Sequence, residues 1–166
     1  MSPELSRPVA ADRIGAAGLT TTVEATAAEL PLIAARLKIP ALVSLSCAWT
    51  LARGADTERG EVVGEGDLHA RVVQTCIVSG DDFEAEVSER FRIRFVRAGT
   101  ETETEVDADD EVPYQAGSID LGEAAVEQLA LDLDPYPRKP GAALPSDTAD
   151  AAPSPFAALA ERSRSH

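Results

Sequence analysis

Apolar residues alternate with small or polar ones at Val43, Leu45, Cys47, Trp49 and Leu51, and this period of two predicts a half-buried strand. A shorter strand is expected from Thr20 to Ala25. Between the two, Thr26-Ala27-Ala28-Glu29 has the spacing of a capping box and opens a helix with Leu30, Ile33, Ala34 and Leu37 on one face. Pro31 permits a second reading, in which it is the first helical residue and the helix begins later; Pro40 ends the helix in either case.

Two further strand patterns, Asp67 to Val78 and Phe83 to Val96, flank Ser79-Gly80-Asp81-Asp82, whose Gly-Asp centre suits a tight hairpin turn. Pairing Ser79 with Asp82 sets Val78 opposite Phe83, Cys76 opposite Ala85, Gln74 opposite Val87, Val72 opposite Glu89, Ala70 opposite Phe91 and Leu68 opposite Ile93, a mostly apolar face. The other face then sets His69 opposite Arg92, Asp67 opposite Arg94 and Arg71 opposite Arg90, and is expected to present a basic cluster. Arg90, Arg92 and Arg94 would stand roughly 6.5 to 7 Å apart along the strand.

Asp120-Leu121-Gly122-Glu123 repeats the capping-box spacing and starts a second helix burying Leu121, Ala125, Leu129 and Leu133, which Pro135 stops. Asp134-Pro135-Tyr136-Pro137-Arg138-Lys139-Pro140-Gly141 follows as a stiff basic arm, since each proline fixes its own φ and holds the residue before it extended. Beyond Gly141 the chain turns to Ala, Pro, Ser and Asp, a composition that cannot bury enough surface to fold. The expected organisation is one α+β domain over residues 4–141, then a flexible tail over 142–166 with a short amphipathic segment at 154–161. The domain is expected to hold an antiparallel, strongly curved sheet, partly closed toward a barrel, packed by two short helices.

Composition narrows the function. The formal charge of −14 repels phosphates at long range and argues against wholesale binding to DNA, RNA or anionic membranes. Seven acids and no base lie in 99–112, so half of that charge sits in one expected loop. No apolar run is long enough to span a membrane and residues 1–12 lack the order of a signal peptide, so a soluble, cytoplasmic protein is expected. Cys47 and Cys76 read as buried, reduced, unreactive thiols; with only His69 and His166 besides, no metal site and no cofactor is expected.

No glycine-rich phosphate loop, nucleophile elbow or His-Glu metal pattern is present, so no catalytic residue is assigned and the protein is expected not to be an enzyme. Gln74 and Glu89, on the inner face beside Cys76, read as partners for backbone groups. The arginine row is either a solvated strand face or a contact surface, because guanidinium groups at alternate positions bind phosphates or carboxylates bidentately. Arg138 and Lys139, with Tyr136, are the second candidate contact, and a rigid connector is the competing reading.

Leu5-Ser6-Arg7-Pro8-Val9, Glu24-Ala25 and the helix after it, Val73-Gln74-Thr75-Cys76-Ile77-Val78, Glu89-Arg90-Phe91, Ile119-Asp120-Leu121-Gly122-Glu123 and the arm 134–141, taken in order, resemble the alphaproteobacterial branch of the YceD family, the large ribosomal RNA subunit accumulation proteins. The resemblance implies non-enzymatic support of 23S ribosomal RNA accumulation or processing and of ribosome assembly. The implied partner is a pre-ribosomal large-subunit particle, reached through a ribosomal protein or the RNA, with Arg90, Arg92, Arg94, Tyr136, Arg138 and Lys139 as the contact residues. Many members carry cysteine pairs near the strand and after the last helix; here Cys76 is alone and Tyr136-Pro137-Arg138-Lys139 occupies the later position, so metal binding is not carried over. The alternative is a carrier whose sheet encloses a small apolar molecule near Trp49 and Cys76, which needs a pocket on the order of 300 Å³ or more. A third reading is a protein-interaction module unrelated to ribosomes.

Overall fold

The computed structural model describes residues 4–100 and 111–142. Alternation along the chain produces three long strands, β3 (Ala41–Arg53), β4 (Val62–Thr75) and β5 (Asp82–Arg97), between shorter elements: β1 (Pro8–Ala10), β2 (Leu19–Glu24), β6 (Glu111–Tyr114) and β7 (Ser118–Asp120). Helices α1 (Leu30–Leu37) and α2 (Leu121–Asp132) complete the α+β fold. Five strands form one sheet in the order β2-β3-β4-β5-β6, and β1 pairs with β7 in a separate ribbon.

The expected all-antiparallel, partly closed sheet is corrected in two respects. β6 runs parallel to β5, pairing Arg94 with Glu111 through Arg97 with Tyr114, so the sheet is mixed. It is also open, because β2 and β6 lie at opposite ends of the strand order and do not pair with each other. Parallel neighbours cannot be joined by a tight hairpin turn, and β5 and β6 are separated in sequence by the acidic stretch between Thr100 and Glu111. Residues 101–110 of that stretch lie outside the described residues, as does the tail from 143 onward with its short amphipathic segment.

The core sits between one face of the sheet and the helices. Leu45, Cys47, Trp49 and Leu51 of β3, Leu68, Ala70 and Val72 of β4, and Ile93 and Phe95 of β5 meet Ile33 and Ala34 of α1 and Leu121, Ala125 and Leu129 of α2. Val43 departs from this row. A bulge between Leu42 and Ser44 shifts the β3–β4 register there, which turns Leu42 inward and leaves Val43 exposed. Leu133 is only half-buried, since α2 ends at Asp132 and Leu133 is already extended.

Both helix starts use the predicted residues, each in its own way. Glu29 accepts from the Thr26 N–H and hydroxyl at 2.8 and 2.9 Å, but the helix begins after it, at Leu30 with Pro31 in its first turn. The helix thus begins later, as the second reading of Pro31 has it, but with Leu30 and not Pro31 as its first residue. Lys38 closes α1 in the left-handed region at φ 56°, and the Ile39 N–H reaches back to the Ala34 carbonyl at 3.1 Å. At α2 the Asp120 carboxylate accepts from the Gly122 and Glu123 N–H groups at 3.0 and 3.2 Å. Its oxygens also accept from the Ser6 hydroxyl at 2.6 Å and the Arg7 N–H at 2.8 Å, which fastens the N-terminal segment to the helix. Glu123 does not turn back to its cap. It takes a bidentate bond from Arg36 of α1 at 2.6 and 2.8 Å, joining the two helices.

Leu5 crosses so close to α2 that a Cβ at Gly122 would stand 2.6 Å from the Leu5 carbonyl oxygen. Gly122→Ala is expected to displace that segment and cost about 1–3 kcal/mol, read as a lower denaturant midpoint at unchanged slope. A second expectation concerns pH. The Arg7 guanidinium, bonded to both Glu29 oxygens at 2.9 Å, together with the Thr26 N–H, holds the Glu29 carboxyl down at about 2. A carboxyl depressed on folding stabilises the fold above the usual carboxylate range, and the contribution is lost as pH falls toward 2. Between pH 5 and pH 2 the stability of Glu29→Gln should therefore fall less steeply than that of the parent.

Candidate functional site

The β4–β5 hairpin is shifted four residues from the expected register. Thr75 lies opposite Asp82, Gln74 opposite Phe83, Val72 opposite Ala85, Ala70 opposite Val87 and Leu68 opposite Glu89. A shift by an even number keeps every side chain on its face and changes only its partner. The supposed basic cluster is thereby replaced by pairs of opposite charge. Arg90 stands opposite Asp67 and meets its Oδ2 at 3.2 Å, Arg92 stands opposite Glu65, and Arg71 stands opposite Glu86 and bonds Glu84 at 2.7 Å. Arg94 stands opposite Val63 and is held by Glu111 at 2.8 Å; Glu111 also takes two bonds from Arg59, at 2.7 and 3.1 Å. Arg94 therefore secures β6, whereas the Arg90 side chain is 86% exposed. A cleft of about 510 Å³ opens on this face, lined by Thr50, Glu65, Asp67, Arg90, Phe91 and Arg92.

The arm is docked beside the first half of β5, against the inner face, where Pro137 and Arg138 line a groove with Phe83, Val87 and Glu89. The Ile77 N–H donates to the Pro137 carbonyl at 2.9 Å, the Gln74 side-chain amide donates to the Asp134 carbonyl at 3.0 Å, and Lys139 approaches Asp81 at 3.5 Å. Asp134 Oδ1 accepts the Tyr136 N–H at 2.8 Å. Gln74 thus satisfies a backbone group as expected, while Glu89 is exposed. Tyr136 is left 70% exposed, Ile77 is also exposed, and Arg138 makes no ion pair among the described residues. Ile77 escaped the sequence reading because it was placed inside a strand; its exposure follows from the wider turn.

That turn runs from Cys76 to Asp81 and replaces the tight one expected. The Cys76 N–H donates to the Asp81 carbonyl at 2.8 Å, the Gly80 N–H to the Cys76 carbonyl at 2.8 Å, and the Ser79 N–H to the Cys76 sulfur at 3.5 Å. The two cysteines consequently differ. Burial pushes the Cys47 thiol up to about 12. Cys76, although 1% exposed, is drawn down to about 7 by the Ser79 hydroxyl and then by the Lys139, Ser79 and Val78 N–H groups, all of which favour the thiolate. Both thiols are free and buried, as expected, and they differ in the donors that surround the sulfur. Among the described residues no group of three or more His, Cys, Asp and Glu side chains is arranged to hold a metal ion.

The two residues named for the carrier alternative lie apart. Trp49 is fully enclosed, edge-on to Phe91 with centroids 5.1 Å apart, and a Cβ at Gly64 would already meet Phe95, Leu51 and Trp49 at 2.9 to 3.2 Å. Cys76 lies ten residues along β4 from Gly66, the partner of Trp49. No helix among the described residues is long and apolar enough to cross a membrane.

Residues 64–161, more than half of the chain, match the family model described as large ribosomal RNA subunit accumulation protein YceD. No curated protein and no solved structure matches the chain. The matched stretch begins inside β4 and takes in the hairpin, α2 and the arm.

The thiol geometry has a direct readout. Native protein treated with a thiol reagent should be modified at Cys76 at a rate that climbs as pH passes about 7, with Cys47 modified only in denaturant; peptide mapping after a short pulse distinguishes the two. Because the folded-state value of Cys76 lies below that of an unfolded thiol, the same group should make the fold more stable as pH rises from 7 to 9, and Cys76→Ser should remove that slope.

Proposed function

The chain belongs to the YceD family of large ribosomal RNA subunit accumulation proteins, and from that premise we propose that it is a non-enzymatic cytoplasmic factor supporting 23S ribosomal RNA accumulation or processing during large-subunit assembly. The observation that carries the proposal is the family match over the hairpin, α2 and the arm. The surface on that unit supports it. Tyr136, Arg138 and Lys139 are exposed on a proline-fixed backbone that the Ile77 N–H anchors at Pro137, an arrangement that loses little entropy on binding. Arg90 and Arg92 offer a second patch, already balanced by Asp67 and Glu65. Arg94 serves this surface indirectly, through Glu111 and β6.

A formal charge of −14 disfavours broad contact with RNA phosphates, so contact through a ribosomal protein is the favoured route to the particle. Capture of pre-ribosomal particles from cell extract, with and without ribonuclease, tests the route: ribosomal proteins retained after digestion indicate protein contact, and their loss indicates RNA. Replacing Arg138 and Lys139 together by Ala removes an exposed charge and an ion pair whose partners are both about half exposed, so stability should change by no more than about 0.5 kcal/mol. Co-sedimentation with large-subunit precursors should fall markedly. Co-sedimentation equal to that of the parent would leave the arm as a connector.

A further inference from the structure

The bond from the Cys76 N–H to the Asp81 carbonyl settles which way every peptide group of β5 points. In an antiparallel ladder directly opposed residues alternate between exchanging both hydrogen bonds with each other and turning both groups away. The Cys76 N–H faces Asp81 and bonds its carbonyl, which gives that opposed position the phase of the first kind, although the Cys76 carbonyl takes the Gly80 N–H of the turn; Phe83, Ala85 and Val87 are therefore bonded to β4, whereas Glu84, Glu86 and Ser88 turn their N–H and C=O groups to the other side. On that side pairing with β6 begins only at Arg94, opposite Glu111, and no described residue bonds the backbone of 84, 86 or 88. The edge is flanked by two rows. The inner row of Phe83, Ala85 and Val87 is half-buried and lines a groove of about 440 Å³ against Asp134, Pro137 and Arg138; the outer row is Asp82, Glu84 and Glu86. The groove is acidic, with Glu86, Glu89, Asp132 and Asp134 facing the single base Arg138, and Asp132 Oδ2 is buried there without a hydrogen-bond donor.

We propose that the open edge of β5 from Phe83 to Ser88 receives an extended segment of a basic protein as an added strand, with aliphatic side chains over Phe83, Ala85 and Val87 and alternate lysines or arginines beside Glu84 and Glu86. Strand addition takes its affinity from main-chain bonds and its specificity from alternate side-chain sites, and this edge supplies both. A second copy of the chain is disfavoured, because symmetric pairing about Glu86 would bring Glu86 against Glu86 and like charges directly opposed are destabilising. The inference goes beyond the proposed ribosomal role and does not depend on it, since the edge would be offered to any basic partner.

Amide hydrogen exchange of the full chain by NMR tests it, with a short synthetic peptide of alternating lysine and valine as probe. In the free protein the Glu84, Glu86 and Ser88 amides should exchange fast, and those of Phe83, Ala85 and Val87 slowly. Saturating alternating peptide should slow the Glu84 and Glu86 amides by about tenfold or more. A peptide of the same composition with its lysines and valines in separate blocks should not, nor should the alternating peptide N-methylated at every other residue. Glu86→Pro, which deletes an N–H that β4 does not use, should abolish binding that Glu86→Gln retains at least in part. The idea is overturned if the outward amides are already protected without peptide, which assigns the edge to this chain's own residues when independent of concentration and to a second copy when dependent on it. Equal protection by the block or N-methylated peptide also overturns it. Neither outcome bears on association with ribosomal particles, which is measured separately.

Discussion

One backbone hydrogen bond, from Cys76 to Asp81, governs more of this structure than any side chain. It closes the turn between the two longest strands and thereby sets their register over the whole ladder from Val62 with Phe95 to Thr75 with Asp82. From the register follow the ion pair of Arg90 with Asp67, the burial of Phe95 beside Trp49, and the outward direction of the peptide groups at Glu84 and Glu86. A hairpin closed two residues tighter or looser would keep the apolar residues inward yet exchange every charged partner across the outer face.

The turn can be wide because it is supported from outside the hairpin. Ile77, which in a tighter hairpin would spend its N–H on β5, gives it to Pro137 in the arm, and Lys139 approaches Asp81 on the other limb. The Cys76 sulfur collects the donors that this geometry turns inward, and its acidity is the electrostatic trace of their convergence. Arm and turn therefore hold each other.

These relations mark the limit of what the sequence disclosed. Period-two patterning identified β3, β4 and β5 and the inward face of each, and the carboxylates at Glu29 and Asp120 located both helix starts, because these signals are local. The register was not local: Gly80 and Asp81 look like the centre of a two-residue turn, and the competing partner of Ile77 lies 60 residues away in the arm. The bulge at Val43 and the parallel pairing of β6 likewise depend on neighbours that no short window contains. The edge of β5 that no described residue pairs was invisible for the same reason, since such an edge is defined by what fails to lie beside it. Of the candidate contact residues, Tyr136 and Arg138 are exposed on the arm as their proline-rich setting implied, whereas Arg94 proved to be tied to Glu111.

Charge distribution links the fold to the chemistry of its partners. Most arginines of the described structure are committed to carboxylates: Arg7 to Glu29, Arg36 to Glu4 and Glu123, Arg59 and Arg94 to Glu111, Arg71 to Glu84 and Arg90 to Asp67. Intramolecular pairing of this kind consumes the cations that could neutralise RNA phosphates and leaves the excess acids facing outward. A phosphate backbone approaching such a surface meets net repulsion beyond the few free guanidinium groups, whereas a lysine- and arginine-rich protein segment is attracted from a distance of about a Debye length, roughly 8–10 Å, and oriented before contact. A surface of this charge is thus better suited to holding a basic protein segment than a nucleic-acid backbone. The long-range field and the local acidity of the β5 edge favour the same class of partner.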